Sequence, residues 1–135
     1  MTEEEKNLNL LALFHYILAG ITALFSCFGL IHAAIGLGMV LGRINGSNPP
    51  PQAFGWLFLI FGGFFVLLGW ILAVAIFIAG RKLKKRTSRT YCFVVASIEC
   101  AMMPLGTVLG VFTIVLLMKD SVKALFGPQT LDVNL

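Results

Sequence analysis

Residues 53–80 read AFGWLFLIFGGFFVLLGWILAVAIFIAG, running from Ala53 to Gly80 without a charged side chain and without Ser, Thr, Asn, Gln or His. As a helix this stretch measures ~42 Å at 1.5 Å per residue, more than the ~30 Å hydrocarbon core of a bilayer. It is read as a transmembrane helix, and its neighbours decide what kind of protein carries it. On the N-terminal side Ile44 extends the charge-free run to 37 residues, and Asn7 to Gly42 forms another of 36. On the C-terminal side Thr90 to Met118 holds one charged residue, Glu99, in 29. Each exceeds the roughly 20 residues that a span requires.

Composition agrees. The 135 residues are 59% hydrophobic and 12% charged, with a mean hydropathy of +0.94. Soluble domains run near 45–50% apolar and 25% charged, so a soluble globular domain is excluded. The sequence predicts an all-α integral membrane protein, one membrane domain over 1–135. Its bundle is built from three hydrophobic segments, the third broken at Pro104, giving three or four helices.

The first segment, 7–42, is too long for a simple span, since 36 helical residues measure ~54 Å. Polar and amphipathic residues come early, so an interfacial turn is expected to feed a span from about Ile17 to Leu41, with His15 and Tyr16 near the headgroups. The acidic start, Glu3-Glu4-Glu5, lacks the basic region of a secretory signal, so this segment is expected to stay in the mature protein. Gly42 to Gln52 holds Pro49-Pro50-Pro51 and reads as a stiff linker.

Residues 81–89 contain Arg81, Lys82, Lys84, Lys85, Arg86 and Arg89, six of the ten basic residues of a chain with net charge +4. No aromatic residue interleaves with them, so nucleic acid is not the expected partner. A basic cluster directly after a span holds a loop on the cytoplasmic side and attracts anionic lipid headgroups. The expected location is therefore the cell (inner) membrane, multi-pass, with 81–89 cytoplasmic and the Asn45–Gln52 loop on the other side.

In the second span Gly55, Gly62 and Gly69 recur every seven residues, which keeps them on one helix face suited to close packing. In the third segment Pro104 removes a helical hydrogen bond and crowds the carbonyl of Cys100, and Gly106 and Gly110 follow with the small-x-x-x-small spacing. Either one kinked span or a hairpin dipping into the bilayer satisfies 90–118. Basic-residue asymmetry favours the hairpin, and helix length opposes it. In the tail, 119–135, Val122, Leu125 and Phe126 sit opposite the charges, so it is expected to lie along a membrane surface, end at Gly127-Pro128, and continue into disordered last residues.

Phe14-His15-Tyr16, Gly80-Arg81, the run from Tyr91-Cys92 to Glu99-Cys100, Pro104-Leu105-Gly106-Thr107-Val108-Leu109-Gly110 and the closing Ser121 to Phe126 together resemble a loose group of small bacterial multi-pass inner-membrane proteins. The resemblance covers most of the chain and implies a bacterial cell membrane. That group carries no assigned activity, so the resemblance brings no substrate or catalytic residue with it.

No enzyme motif is present, and Glu99 is the only acid in any apolar segment, so no enzyme and no cofactor are expected. His15 and His32 are 17 residues apart, ~100° out of line on one helix, so no metal site is expected. Cys27, Cys92 and Cys100 match no metal or haem spacing and read as packing residues. Glu99, with His32 and His15, is the candidate intramembrane polar site. It is expected to be protonated, or hydrogen-bonded to a first-segment group, with His32, Ser26 and Thr22 as the candidates. Two functions fit: an interaction, assembly or regulatory bundle, partnered by lipid, other membrane proteins or a second copy; or a small oligomeric proton- or cation-linked transporter using Glu99.

Overall fold

The computed structural model describes residues 1–44 and 46–127. Asn45 of the proline-rich loop, the stop at Pro128 and the expected disorder of the last residues lie outside the described residues. The chain forms α1 (Glu3–Ser26), α2 (Phe28–Val40), α3 (Gln52–Lys85), α4 (Arg89–Glu99), α5 (Leu105–Met118) and α6 (Asp120–Leu125), and the described residues contain no strand. Two helical stretches, Glu3–Val40 and Gln52–Lys85, are long and apolar enough to cross a membrane.

Thr2 starts α1 through a reciprocal cap: its hydroxyl accepts from the Glu5 N–H at 3.3 Å, and its own N–H donates to Glu5 Oε2 at 2.9 Å. Glu3, Glu4 and Glu5 add negative charge to the first turn, where the helix dipole favours it. No separate interfacial helix exists over 7–16, because α1 continues unbroken to Ser26. One residue, Cys27, separates α1 from α2. Nearby, Ser26 Oγ donates to the Thr22 carbonyl at 2.7 Å and Cys27 Sγ to that of Ala23 at 3.3 Å. Such back-bonding loosens a helix without ending it.

The basic cluster is mostly not a loop. Arg81 to Lys85 continue α3, where cations suit the helix C-terminus. Arg86 then takes a left-handed conformation (φ 56°), its N–H bonds the Leu83 carbonyl, and the Thr87 N–H bonds that of Lys82. This pair of bonds closes the helix end, and only 86–88 connect α3 to α4.

The third segment forms a hairpin. α4 and α5 pack antiparallel: a Cβ on Gly106 would sit 2.5 Å from the Glu99 carbonyl oxygen, and one on Gly110 2.5 Å from that of Ala96. At the open end Arg89 Nε donates to the Leu117 carbonyl at 2.8 Å. At the tip Thr107 Oγ1 donates to the Cys100 carbonyl at 2.7 Å, and the Thr107 N–H to that of Met102 at 3.2 Å. The carbonyl that Pro104 denies a helical partner is thereby satisfied.

The described residues within Met1–Ala19 and Val74–Leu135 form one compact unit, and those within Gly20–Ala73 another. The first is organised around Leu8, Ala12, Leu83, Cys92, Leu116, Leu117 and Val122, with Leu125 and Phe126 packed on it. The apolar face of α6 is thus turned onto this core. Glu5 Oε1 meets Arg86 Nη1 at 3.1 Å, and Ser121 Oγ donates to Glu4 Oε1 at 3.4 Å. In the second unit α2 and α3 approach to backbone contact. A Cβ on Gly62 would lie 2.6 Å from the Gly29 oxygen and 2.7 Å from the Ala33 nitrogen. Gly55 faces Gly36, Met39 and Val40, and Gly69 faces Ser26. The seven-residue glycine spacing therefore lies along one face, turned towards 26–40.

Candidate functional site

On α1 the buried positions include Leu8, Ala12, His15, Ala19, Thr22 and Ser26, spaced alternately by four and three residues, with Leu18 buried beside Ala19. That is the 3.5-residue repeat of a packed seam, and His15 occupies one of its places. On α4 the buried residues are Cys92, Val95, Ala96 and Glu99, one face at helical spacing. Gly80 brings α3 close to the same turn of α1: a Cβ there would lie 3.1 Å from His15 Cβ and 3.0 Å from the Tyr16 ring.

The two seams bring His15 Nε2 to 3.2 Å from Glu99 Oε2, and both side chains are completely buried. His15 is therefore buried in the protein, not exposed to its surroundings, and it is the first-segment group that reaches Glu99. Two of the other candidates are occupied: His32 Nδ1 donates to the Phe28 carbonyl at 3.1 Å and its ring stacks on Phe58 of α3, and Ser26 donates to the Thr22 carbonyl; the buried Thr22 hydroxyl has no hydrogen-bond partner among the described residues. An α1 seam read at 3.5 residues from Leu8 would have placed His15 inside; the reading by polarity along the chain placed it at the surface.

Hydrogen-bond chemistry assigns roles to the two ring nitrogens. His15 Nδ1 lies 2.8 Å from the Leu11 carbonyl oxygen. A carbonyl only accepts, so Nδ1 carries a hydrogen and Nε2 is the nitrogen left to face Glu99. With no proton between Nε2 and Oε2, two lone pairs would face each other beside an uncompensated buried charge. A single proton between Nε2 and Oε2 is the arrangement that matches a donor to an acceptor across this contact. The contact is short but not aligned as a hydrogen bond, and neither Glu99 oxygen has a hydrogen-bond partner among the described residues. Two other buried polar groups of this unit have carbonyl partners: Thr113 Oγ1 donates to the Leu109 carbonyl at 2.7 Å and Cys92 Sγ to that of Ala79 at 3.7 Å.

Among the described residues no three His, Cys, Asp or Glu side chains gather to hold a metal ion, and Cys27, Cys92 and Cys100 are free thiols. The basic residues divide. Arg86 pairs with Glu5, Arg89 binds the Leu117 carbonyl, and Lys82 Nζ meets Ser88 Oγ at 3.0 Å while lying over the Tyr91 ring. Arg81, Lys84 and Lys85 stand exposed. The Thr2 N–H, and then Arg86, hold the Glu5 carboxyl below its ordinary value of 4.5. Thr107, whose hydroxyl secures the hairpin tip, is a structural position within the Pro-x-Gly-Thr run that the sequence alone does not single out. Compared with protein-family models, curated proteins and solved structures, the chain matches none of them.

Proposed function

We propose that this is a multi-pass protein of a bacterial inner membrane, a helical bundle that assembles with other membrane proteins or with itself. The observation that carries this reading is how polarity is distributed. The two ionisable groups of His15 and Glu99 are spent on each other in a closed core, while α3 presents Leu57, Ile60, Phe61 and Phe64, each more than 60% exposed. Water does not tolerate such a face, and lipid tails or neighbouring helices do. The hairpin supports an orientation as well. Lys6, the basic residues of 81–89, Lys119 and Lys123 make nine of the ten basic residues in one unit, and Arg43 alone belongs to the other. Positive residues stay cytoplasmic, so the first unit's charged end faces the cytoplasm.

A second reading is favoured by the pair itself, because an intramembrane His–Glu couple is the chemistry from which proton relays are built. One experiment separates the two. The protein carrying a photo-crosslinking residue at Phe64 is irradiated in native membranes, and the purified protein is tested for proton flux in liposomes. The assembly reading expects discrete crosslinked species and no flux above empty liposomes. Flux abolished by Glu99→Gln would establish the proton-linked reading instead.

A further inference from the structure

The last two turns of α3 are built like the receptor of an amphiphile. Arg81, Lys84 and Lys85 are spaced i, i+3, i+4 and so share one face of the helix. All three are exposed, and none has a hydrogen bond or ion pair among the described residues, whereas Lys82, Arg86 and Arg89 of the same cluster are each engaged. Leu83 is completely buried on the opposite side, which fixes the rotation of the helix and keeps that face outward. The carbonyls of Lys82 and Leu83 are closed by Thr87 and Arg86, so these acceptors do not point at an incoming anion. One and two turns back, on the same face, stand Phe77 and Val74, 47% and 53% exposed.

Three free cations followed at once by an exposed apolar strip match the charge and shape of an anionic phospholipid, phosphate at the cations and an acyl chain along Val74 and Phe77. We infer that Arg81, Lys84 and Lys85, with Phe77 and Val74, form a binding site for an anionic phospholipid such as phosphatidylglycerol. The inference rests on the membrane reading above. A free phosphate or a nucleic acid would use the cations and leave the apolar strip without a role.

The test is binding of acyl-labelled phosphatidylglycerol to the full-length protein in a non-ionic detergent, with labelled phosphatidylcholine as reference. Each basic residue near a phosphate changes affinity about fivefold, so the R81Q/K84Q/K85Q protein is expected to bind phosphatidylglycerol on the order of 100-fold more weakly. The K6Q/K119Q/K123Q protein, with the same change in net charge, should stay within about threefold of the original protein, because screening weakens charges that do not touch the headgroup. Equal losses in the two triple variants would overturn the site in favour of a general field. Competition by water-soluble glycerophosphoglycerol as strong as by the lipid would overturn the acyl part. The single variants R81Q, K84Q and K85Q serve if the triple variant does not fold, and unchanged affinity in all three would refute the site. Failure of the membrane reading would show separately, as protein that stays in solution once detergent is removed.

Discussion

Replacing His15 and Glu99 by leucine, singly and together, measures what the buried pair contributes. In His15→Leu the completely buried Glu99 carboxyl loses the Nε2 contact at 3.2 Å, and neither of its oxygens has a hydrogen-bond partner among the described residues. A buried polar group left without a partner costs about 1–3 kcal/mol. In Glu99→Leu the His15 ring keeps Leu11 through Nδ1 and loses its partner at Nε2, at a cost in the same range. The double variant leaves neither group stranded, and apolar side chains of similar volume replace both, a change that is often close to neutral. The expected costs are therefore about 2 kcal/mol for each single variant and under about 1 kcal/mol for the double, a coupling of about 3 kcal/mol. Reversible unfolding by SDS in mixed micelles, followed by the helical circular dichroism signal, gives all four free energies. Glu99→Gln adds a sharper arm, since an amide N–H can donate to Nε2 as a carboxylic acid would; it should cost under about 1 kcal/mol. A double variant costing the sum of the singles would refute the pairing, and Glu99→Gln as damaging as Glu99→Leu would refute a single proton shared between the two groups.

Gly62→Ala should cost about 1–3 kcal/mol because its Cβ meets the backbone of Gly29 and Ala33, whereas Gly63→Ala, with nothing within 4 Å, should be neutral or stabilising by up to about 1 kcal/mol; thermal unfolding in detergent compares them. Thr107→Val should destabilise by about 1–2 kcal/mol and Thr107→Ser by much less, since only serine keeps the donor to the Cys100 carbonyl. In a background without the native cysteines, cysteine at Ser47 should react with an impermeant thiol reagent on intact cells while cysteine at Ser88 or Ser121 does not; labelling at Ser121 would restore the kinked span. Glu5 is held below 4.5 by the Thr2 N–H and by Arg86, so its contribution is fully present above pH 4.5 and is lost as pH falls through its lowered value. Hydrogen-exchange protection of the first turns of α1, corrected for the intrinsic rate at each pH, should therefore fall below about pH 4.5, and Glu5→Gln should flatten that dependence.

Where the sequence was legible, the signal was local. Charge-free runs longer than a bilayer core mark the apolar helices whatever they pack against, and Pro104 breaks its segment because the missing N–H and the ring clash are properties of one residue. Glycines at 55, 62 and 69 share a face by helical geometry alone. What local signal could not supply was the partner of each feature. Polarity along the chain put His15 at a headgroup, although its place in the Leu8–Ala12–His15–Ala19 seam puts it inside; both are helix-compatible, and only α3 and α4 packing on that seam decides between them. Residues 81–85, expected as loop, continue α3 because lysine and arginine are good helix formers, and the cap that stops α3 is made by Arg86 in a left-handed conformation that no residue type announces.

The sequence by itself determined that the chain is helical, that its hydrophobic segments are long enough to cross a bilayer, that one carboxylic acid lies among them and that the third segment breaks at Pro104. The tertiary structure alone decided that α4 and α5 fold back on each other, that Thr107 closes their turn and that Glu99 meets His15. The division has one physical cause. Helix formation and transfer into an apolar phase are sums over neighbouring residues, so they can be read along the chain, whereas satisfying a buried polar group depends on which residue, 84 positions away in sequence, packing brings within 3.2 Å.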